Sequence, residues 1–420
     1  MRDIEPTEVP PAGKLGIRLP PVVGIFLTVF LDLLSFGLFI PDLQLRGKLL
    51  ATQALVGTPT AAQIGILTGI TLAVFSLAQL VTSPYLGRLS DQIGRRKVLI
   101  VTTLLSVVSY LVYAQAEQLW VIILARALSG VAAANVGVAF AYMADVTKPE
   151  DRAKGMGTIG AAFGLGFILG PVMGAFLLGQ TGNKPLLLGY VGAGLAFLNF
   201  LYVWLVLPET RPTRQEKTRF VADLRVALKT PSLGLMLMMF FALNFGFTNL
   251  ESTYFLLLET PNWIFAQGEN ARQTGGYILG VVGVVAVIMQ GGVVRRLTPR
   301  FGEVKLLRWA YVGYVPVLAL VPFLPLWIPA LLCVILLGIC SGLAQPSLSS
   351  LISKSAPGRM QGSIFGVTQG LGALARLLGP LVSNPLFAWK PYAPYLFGAA
   401  IILFPAFAAW RLREPLDKVG

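Results

Sequence analysis

Apolar runs of about twenty residues recur along almost the whole chain, separated by short polar turns. A helix needs about 20 mainly apolar residues to cross a bilayer. The spacing predicts spanning helices at 19–41, 61–86, 97–115, 118–142, 155–178 and 185–207, then at 233–258, 274–294, 304–322, 327–351, 361–387 and 393–411. Twelve such helices use nearly all of the 420 residues, so little remains for a separate soluble domain. Only 12% of the residues are charged, against about a quarter in soluble proteins. The chain reads as an all-α polytopic membrane protein.

The twelve runs divide into two related sets. The turn at Tyr85–Leu99 has a weaker copy 208 residues later, which sets Arg88 on Arg296, Gly94 on Gly302, Lys97 on Lys305 and Val98-Leu99 on Leu306-Leu307. Arg152 and Gly155 match Arg359 and Gly362 at an offset of 207, and Gly170-Pro171 matches Gly379-Pro380 at 209. Two pseudo-symmetric six-helix bundles follow, at 19–207 and 231–411. A basic linker, 208–230, joins them, and polar tails flank them at 1–18 and 412–420.

The net charge of +14 is distributed in a way that reports topology and not nucleic-acid binding. Of the 33 Lys and Arg, 26 fall on the two tails and on alternate turns. Five others, Arg46, Lys48, Lys184, Arg272 and Lys390, are assigned to the opposite loops, and Arg126 and Arg376 lie inside helices. Cytoplasmic loops carry the Lys/Arg excess, so both termini are expected in the cytoplasm and the protein in the inner membrane, as a monomer in the lipid bilayer. The first eighteen residues, with three prolines and mixed charge, read as a tail and not as a cleaved signal.

Composition also removes chemistry. With no histidine in the chain, zinc sites built on His, Ser-His-Asp triads and His proton relays are excluded. Cys333 and Cys340 lie seven apart on one apolar run with no metal or redox partner and read as core residues. No G-x-x-x-x-G-K-[ST] pattern is present, so ATP-driven pumping is not expected. Neither metal, cofactor nor catalytic constellation is predicted, and the chain is not expected to be an enzyme. Proton chemistry must use carboxylates.

Four charges inside helices are the candidates. A charge at mid-membrane costs about 2.5–3.5 kcal/mol on insertion scales, so Asp32 should face a cavity. At helical spacing Asp32, Phe36 and Phe39 share a face, placing an acid and two aromatic platforms toward a cleft suited to lipophilic, cationic compounds. Arg126, set in an apolar run, keeps its proton and can attract a carboxylate, water or substrate. Gly130 beside it allows close helix approach. Asn244, Thr248 and Glu251 share a face of the seventh helix, and Gln369 and Arg376 share one of the eleventh. Opposite intramembrane charges should find each other, so a Glu251–Arg376 pair at the central cavity is expected, serving structure or substrate and proton binding.

The turn at 87–96 resembles the major facilitator superfamily signature G-x-L-x-D-x-x-G-R-R, with Gly87, Leu89, Asp91, Gly94, Arg95 and Arg96 at the fixed positions. Gly157, Gly166, Gly170, Pro171 and Gly174 resemble the signature of the drug/proton antiporter branch; the final glycine is Ala175. Arg126 with Gly130, Asp32 nine residues before Pro41, and Leu207-Pro208-Glu209-Thr210 are similar to other motifs of that branch. From Ala141 to Gly174 the chain resembles tetracycline/proton antiporters. It departs from them at Ser109, where they carry an acid, and in a ninth helix without one.

The resemblance implies a transporter that exports small lipophilic compounds by proton antiport and alternating access. Asp32 and Arg126 would be tied to proton coupling, and Asp91, Arg95 and Arg96 would latch the two bundles on the cytoplasmic side. Gly87 and Gly94 would permit a tight reversal. The near side-chain-free stripe of Gly160, Gly164, Gly166, Gly170 and Gly174 would pack the fifth helix against the other bundle. Import or facilitated transport of a nutrient or lysolipid is the alternative use of the same architecture.

Overall fold

The computed structural model describes residues 20–147, 152–180, 184–210, 231–263, 270–355 and 361–412. The tail at 1–18, linker residues 211–230, Arg359 and residues 413–420 lie outside them.

The first half contains α1 (Pro21–Gly37), α2 (Ile40–Ala54), α3 (Ala61–Ile93), α4 (Arg95–Ala114), α5 (Leu119–Ala133), α6 (Val136–Val146), α7 (Arg152–Gln180) and α8 (Pro185–Leu205). The second half contains α9 (Pro231–Leu258), α10 (Asn270–Ile288), α11 (Val294–Phe301), α12 (Glu303–Leu320), α13 (Trp327–Ser355), α14 (Gln361–Trp389) and α15 (Ala393–Ala408). The pairs α1–α2, α5–α6 and α10–α11 are single traverses with internal breaks, which makes twelve traverses among the described residues. Eleven of them are long and apolar enough to cross a membrane. The remaining one joins α10 to α11 through a π-helical turn, Met289–Val293. One buried apolar cluster is built almost wholly from the second half, and two come from the first.

The turns repeat in geometry as well as in sequence. Gly94 (φ 104°) and Gly302 (φ 77°) each end one helix and start the next with a positive φ that side chains resist. Arg95 then pairs with Asp145 at 3.1 Å, and in the other half Glu303 pairs with Lys354 at 2.9 Å. The contact is repeated with its charges exchanged, so matching of like residues could not reveal it. Gly87 departs from expectation. It lies inside α3, which continues to Ile93, so Gly94 alone makes the reversal.

Two further expectations are corrected. Arg46 and Lys48 are not loop residues; α2 carries the chain nearly four turns past Pro41 at helical pitch, to Ala54. The glycine stripe of α7 faces its own half. A side chain at Gly166, Gly170 or Gly174 would meet Leu33, Gly37 or Leu38 at 2.5, 2.5 and 2.2 Å. Gly157 and Gly160 have nothing close by. The small residues that let the halves meet come from the other side: Gly276, Gly280 and Gly283 of α10 bed against Ala175, Val172 and Ile168 of α7. In α3, Gly65 and Gly69 meet the backbone of Asn384 and Pro380 on α14 in the same way.

Candidate functional site

A cavity of about 740 Å³ lies between the halves, of a size that suits a drug-like molecule. Asp32, Arg126, Glu251 and Arg376 all line it, with Phe36, Asn244, Thr248 and Gln369. It reaches Leu99, one turn inside the face that carries the α3–α4 and α11–α12 turns, termed the basic face below.

Asp32 is held by two amides. Asn135 donates to one carboxylate oxygen at 2.8 Å, and Asn199 donates to the other at 2.8 Å while also reaching the Thr28 carbonyl at 3.0 Å. Asn135 stands at the break between α5 and α6, and that break delivers its side chain to the cavity wall. Each Asp32 oxygen accepts one amide N–H and keeps a second lone pair, so a proton can join the carboxylate without displacing either amide.

Arg126 does not pair with Asp32. Its guanidinium lies 4.4 Å from the Phe75 ring and 5.6 Å from the Phe36 ring, whose centroids are 5.0 Å apart. Gly130, one turn on, makes this possible: a Cβ there would stand 2.2 Å from the Phe75 carbonyl oxygen, so α3 and α5 touch where the stack forms. The buried Arg126 Nε has no hydrogen-bond partner. At Ser109, where the resembling exporters carry an acid, Ser129 donates a 3.0 Å hydrogen bond instead.

Glu251 and Arg376 share the cavity but form no ion pair in this state. Each still feels the other's charge, and Glu251 feels that of Arg126 as well. A charge facing an aqueous cavity needs no direct partner, which accounts for the separation. Phe39 is corrected: it is 3% exposed and absent from the cavity wall, stacked on Tyr110 at 4.7 Å and edge-to-face with Tyr113 at 4.6 Å. Pro41 cannot donate to the Gly37 carbonyl, so the helix breaks at Leu38–Phe39 and the shared face ends at Phe36.

The expected latch residues contact their own half. Arg95 holds Asp91 at 2.5 Å, Ser90 at 2.6 Å and Asp145 at 3.1 Å. The backbone N–H of Arg96 donates to Glu209 at 2.9 Å and its Nε to the Val203 carbonyl at 3.1 Å. Polar bonds between the halves cluster at the far face instead. Arg272 reaches Asp42 at 3.1 Å, Lys48 reaches Glu259 at 3.4 Å, and Gln44 bonds to α9. Asp42, 1% exposed, also accepts from Tyr113 at 2.9 Å and has Arg46 at 3.8 Å. Sequence reasoning missed this closure because it placed Arg46, Lys48 and Arg272 in loops.

Arg272→Gln should weaken the far-side closure by about 2 kcal/mol, roughly 30-fold in the conformational equilibrium, since Asp42 keeps Tyr113 and Arg46. Labelling of an Ile40→Cys variant by an impermeant maleimide from the far side measures it. An unchanged labelling rate would show that the pair does not hold this face shut.

The Major Facilitator Superfamily profile matches residues 25–380. The chain is 28% identical to Major facilitator superfamily domain-containing protein 10 of Homo sapiens, over 98% of this chain and 97% of that protein. It is 27% identical to the class B tetracycline resistance protein of Escherichia coli, over 84% of each. The crystal structure of the human organic anion transporter MFSD10 superposes with a TM-score of 0.69 at 25% identity, covering 93% of this chain and 100% of that one. The nucleoside transporter NupG, at 15% identity and a TM-score of 0.70, shares the fold.

Proposed function

The chain belongs to the Major Facilitator Superfamily, and on that premise we propose that it exports small lipophilic compounds by proton antiport, through alternating access of its central cavity. The observation that carries this reading is the confluence of Asp32, Arg126, Glu251 and Arg376 around one cavity between two halves. The 27% identity to a tetracycline resistance protein supports the export direction. The Lys/Arg bias supports a topology in which the basic face and both termini lie in the cytoplasm and the protein in a bacterial inner membrane. In this state the far face is shut and the cavity extends toward the basic face, as substrate loading from the cytoplasm requires. Asp32, with one amide N–H on each oxygen, is placed to carry a negative charge in this state and still has room for a proton. Return of the latch residues to the other half would accompany closure of the basic face.

The sign of the cavity charge separates two substrate classes. With both carboxylates ionised, two negative and two positive groups cancel; a proton on either carboxylate leaves the wall net positive. Protonation therefore repels a lipophilic cation, which gives antiport, and attracts an anion, which gives co-transport. The anion reading is favoured by one observation: among the described residues neither Arg126 nor Arg376 is ion-paired. The similarity to an organic anion transporter points the same way.

Reconstituted vesicles under an imposed pH gradient decide between them, with ethidium as the cation and carboxyfluorescein as the anion. Antiport predicts that ethidium moves against the direction of proton flow and collapses the gradient. Carboxyfluorescein moving with protons would replace the cation reading, and dye movement without proton flux would refute proton coupling.

A further inference from the structure

The amide of Gln44 makes an unusual contact. Gln44, on α2 of the first half and 3% exposed, donates from Nε2 to the carbonyl of Glu251 on α9, and its Oε1 accepts from the backbone N–H of Phe255 at 3.1 Å. In an α-helix the carbonyl of residue 251 and the N–H of residue 255 are the two ends of one hydrogen-bond rung. One side chain from the opposite half therefore engages both ends of the rung that begins at Glu251.

The surroundings give this contact a mechanical role. On α2, Gln44 lies between Asp42, which pairs with Arg272, and Lys48, which pairs with Glu259. The three contacts must form and break together when the far face closes and opens, since all three join α2 to the second half. Gln44 also lines the same cavity as the Glu251 side chain. Asp42 and Lys48 hold the far face shut from side chain to side chain. Gln44 instead grips the main chain from which the cavity carboxylate projects.

We propose that Gln44 is a positioning residue for Glu251: docking of its amide on the 251–255 rung when the far face closes fixes where the Glu251 carboxylate stands in the cavity. Opening the far face withdraws the amide, returns the rung to α9 alone and lets the carboxylate shift relative to its neighbours. The charged groups around Glu251 are Arg376 on α14 and Arg126 on α5, with Asp32 across the cavity and Asp42 and Arg272 at the far-side closure. A small displacement of Glu251 therefore changes its interaction with two guanidiniums at once, and closure and proton occupancy become linked. The inference rests on the coupling role proposed for Glu251.

The test needs no substrate. Far-side maleimide labelling of Ile40→Cys, followed against pH, reports closure in the otherwise intact protein. Gln44→Leu, Glu251→Gln and their double variant are compared in that background. The expected result is a pH-dependent labelling rate whose midpoint moves by about one unit in Gln44→Leu, with no further effect of Gln44→Leu once Glu251 is Gln. Gln44→Glu, which keeps its length and its acceptor for Phe255, should match the unmodified residue when protonated and Gln44→Leu when ionised. It serves as the second variant if leucine prevents folding. If Gln44→Leu raises labelling by the same factor at every pH, with and without Glu251→Gln, Gln44 only cements the interface and the inference fails. If Glu251→Gln leaves the pH dependence untouched, the coupling role of Glu251 falls, and the inference with it.

Discussion

Asp32→Asn is expected to leave a protein that equilibrates its substrate but no longer accumulates it. One proton moving down 100 mV is worth about 2.3 kcal/mol, enough for roughly 50-fold accumulation. Without the carboxylate the ratio should fall to about one, whatever gradient is imposed. The substitution is nearly isosteric, and Asn135 and Asn199 remain to hold an amide in the same place. Exchange of substrate at equal concentrations should therefore survive. Accumulation and exchange, measured side by side in vesicles, separate loss of coupling from loss of folding. Full accumulation by the variant would move the proton site to Glu251, the other carboxylate on the wall.

The second large effect concerns two glycines with different tasks. Gly170→Leu should prevent the first half from folding. Its Cβ would stand 2.5 Å from the Gly37 Cα, and backbone on both sides leaves nothing free to yield. Little or no monodisperse protein is expected after extraction. Gly280→Leu acts elsewhere: its Cβ would come 2.2 Å from a methyl of Val172, across the boundary between the halves. Each bundle keeps its own core, so that variant should remain folded but lose closure, with coupled transport reduced by at least tenfold. Size-exclusion profiles and transport assays distinguish the cases. A folded, active Gly170→Leu variant would contradict the packing described here.

The predicted architecture was legible because lipid makes the rule simple: apolar length sets the traverses, and the Lys/Arg turns mark their ends. The 208-residue echo, anchored on Gly94 and Gly302, was legible for a physical reason too, because both positions require a positive φ. The cavity charges could be found because an uncompensated charge in a helix is costly, and the structure gathers all four around one cavity.

What stayed hidden was partnership. Nothing in the spacing says that Asp32 is held by Asn135 and Asn199, which come from two other traverses. The face extrapolated from Asp32 failed at Phe39 because Pro41 interrupts the ladder, a signal that was present in the sequence. The stripe on α7 was visible, but not the side it faces; Gly276, Gly280 and Gly283 show the same small-residue pattern on α10 and carry the contact between halves. The far-side closure escaped because a polar stretch, Asp42 to Lys48, is helical and partly buried where composition suggested a loop.

Proton coupling is tested most directly by a reversal measurement. Vesicles are loaded to a fixed substrate ratio, and the pH gradient is varied until net flux stops. Antiport predicts that the stopping point moves with the substrate ratio, by one pH unit for each tenfold change if one proton exchanges for one neutral substrate. Flux that stops only at equal substrate concentrations, whatever the pH gradient, would contradict the account.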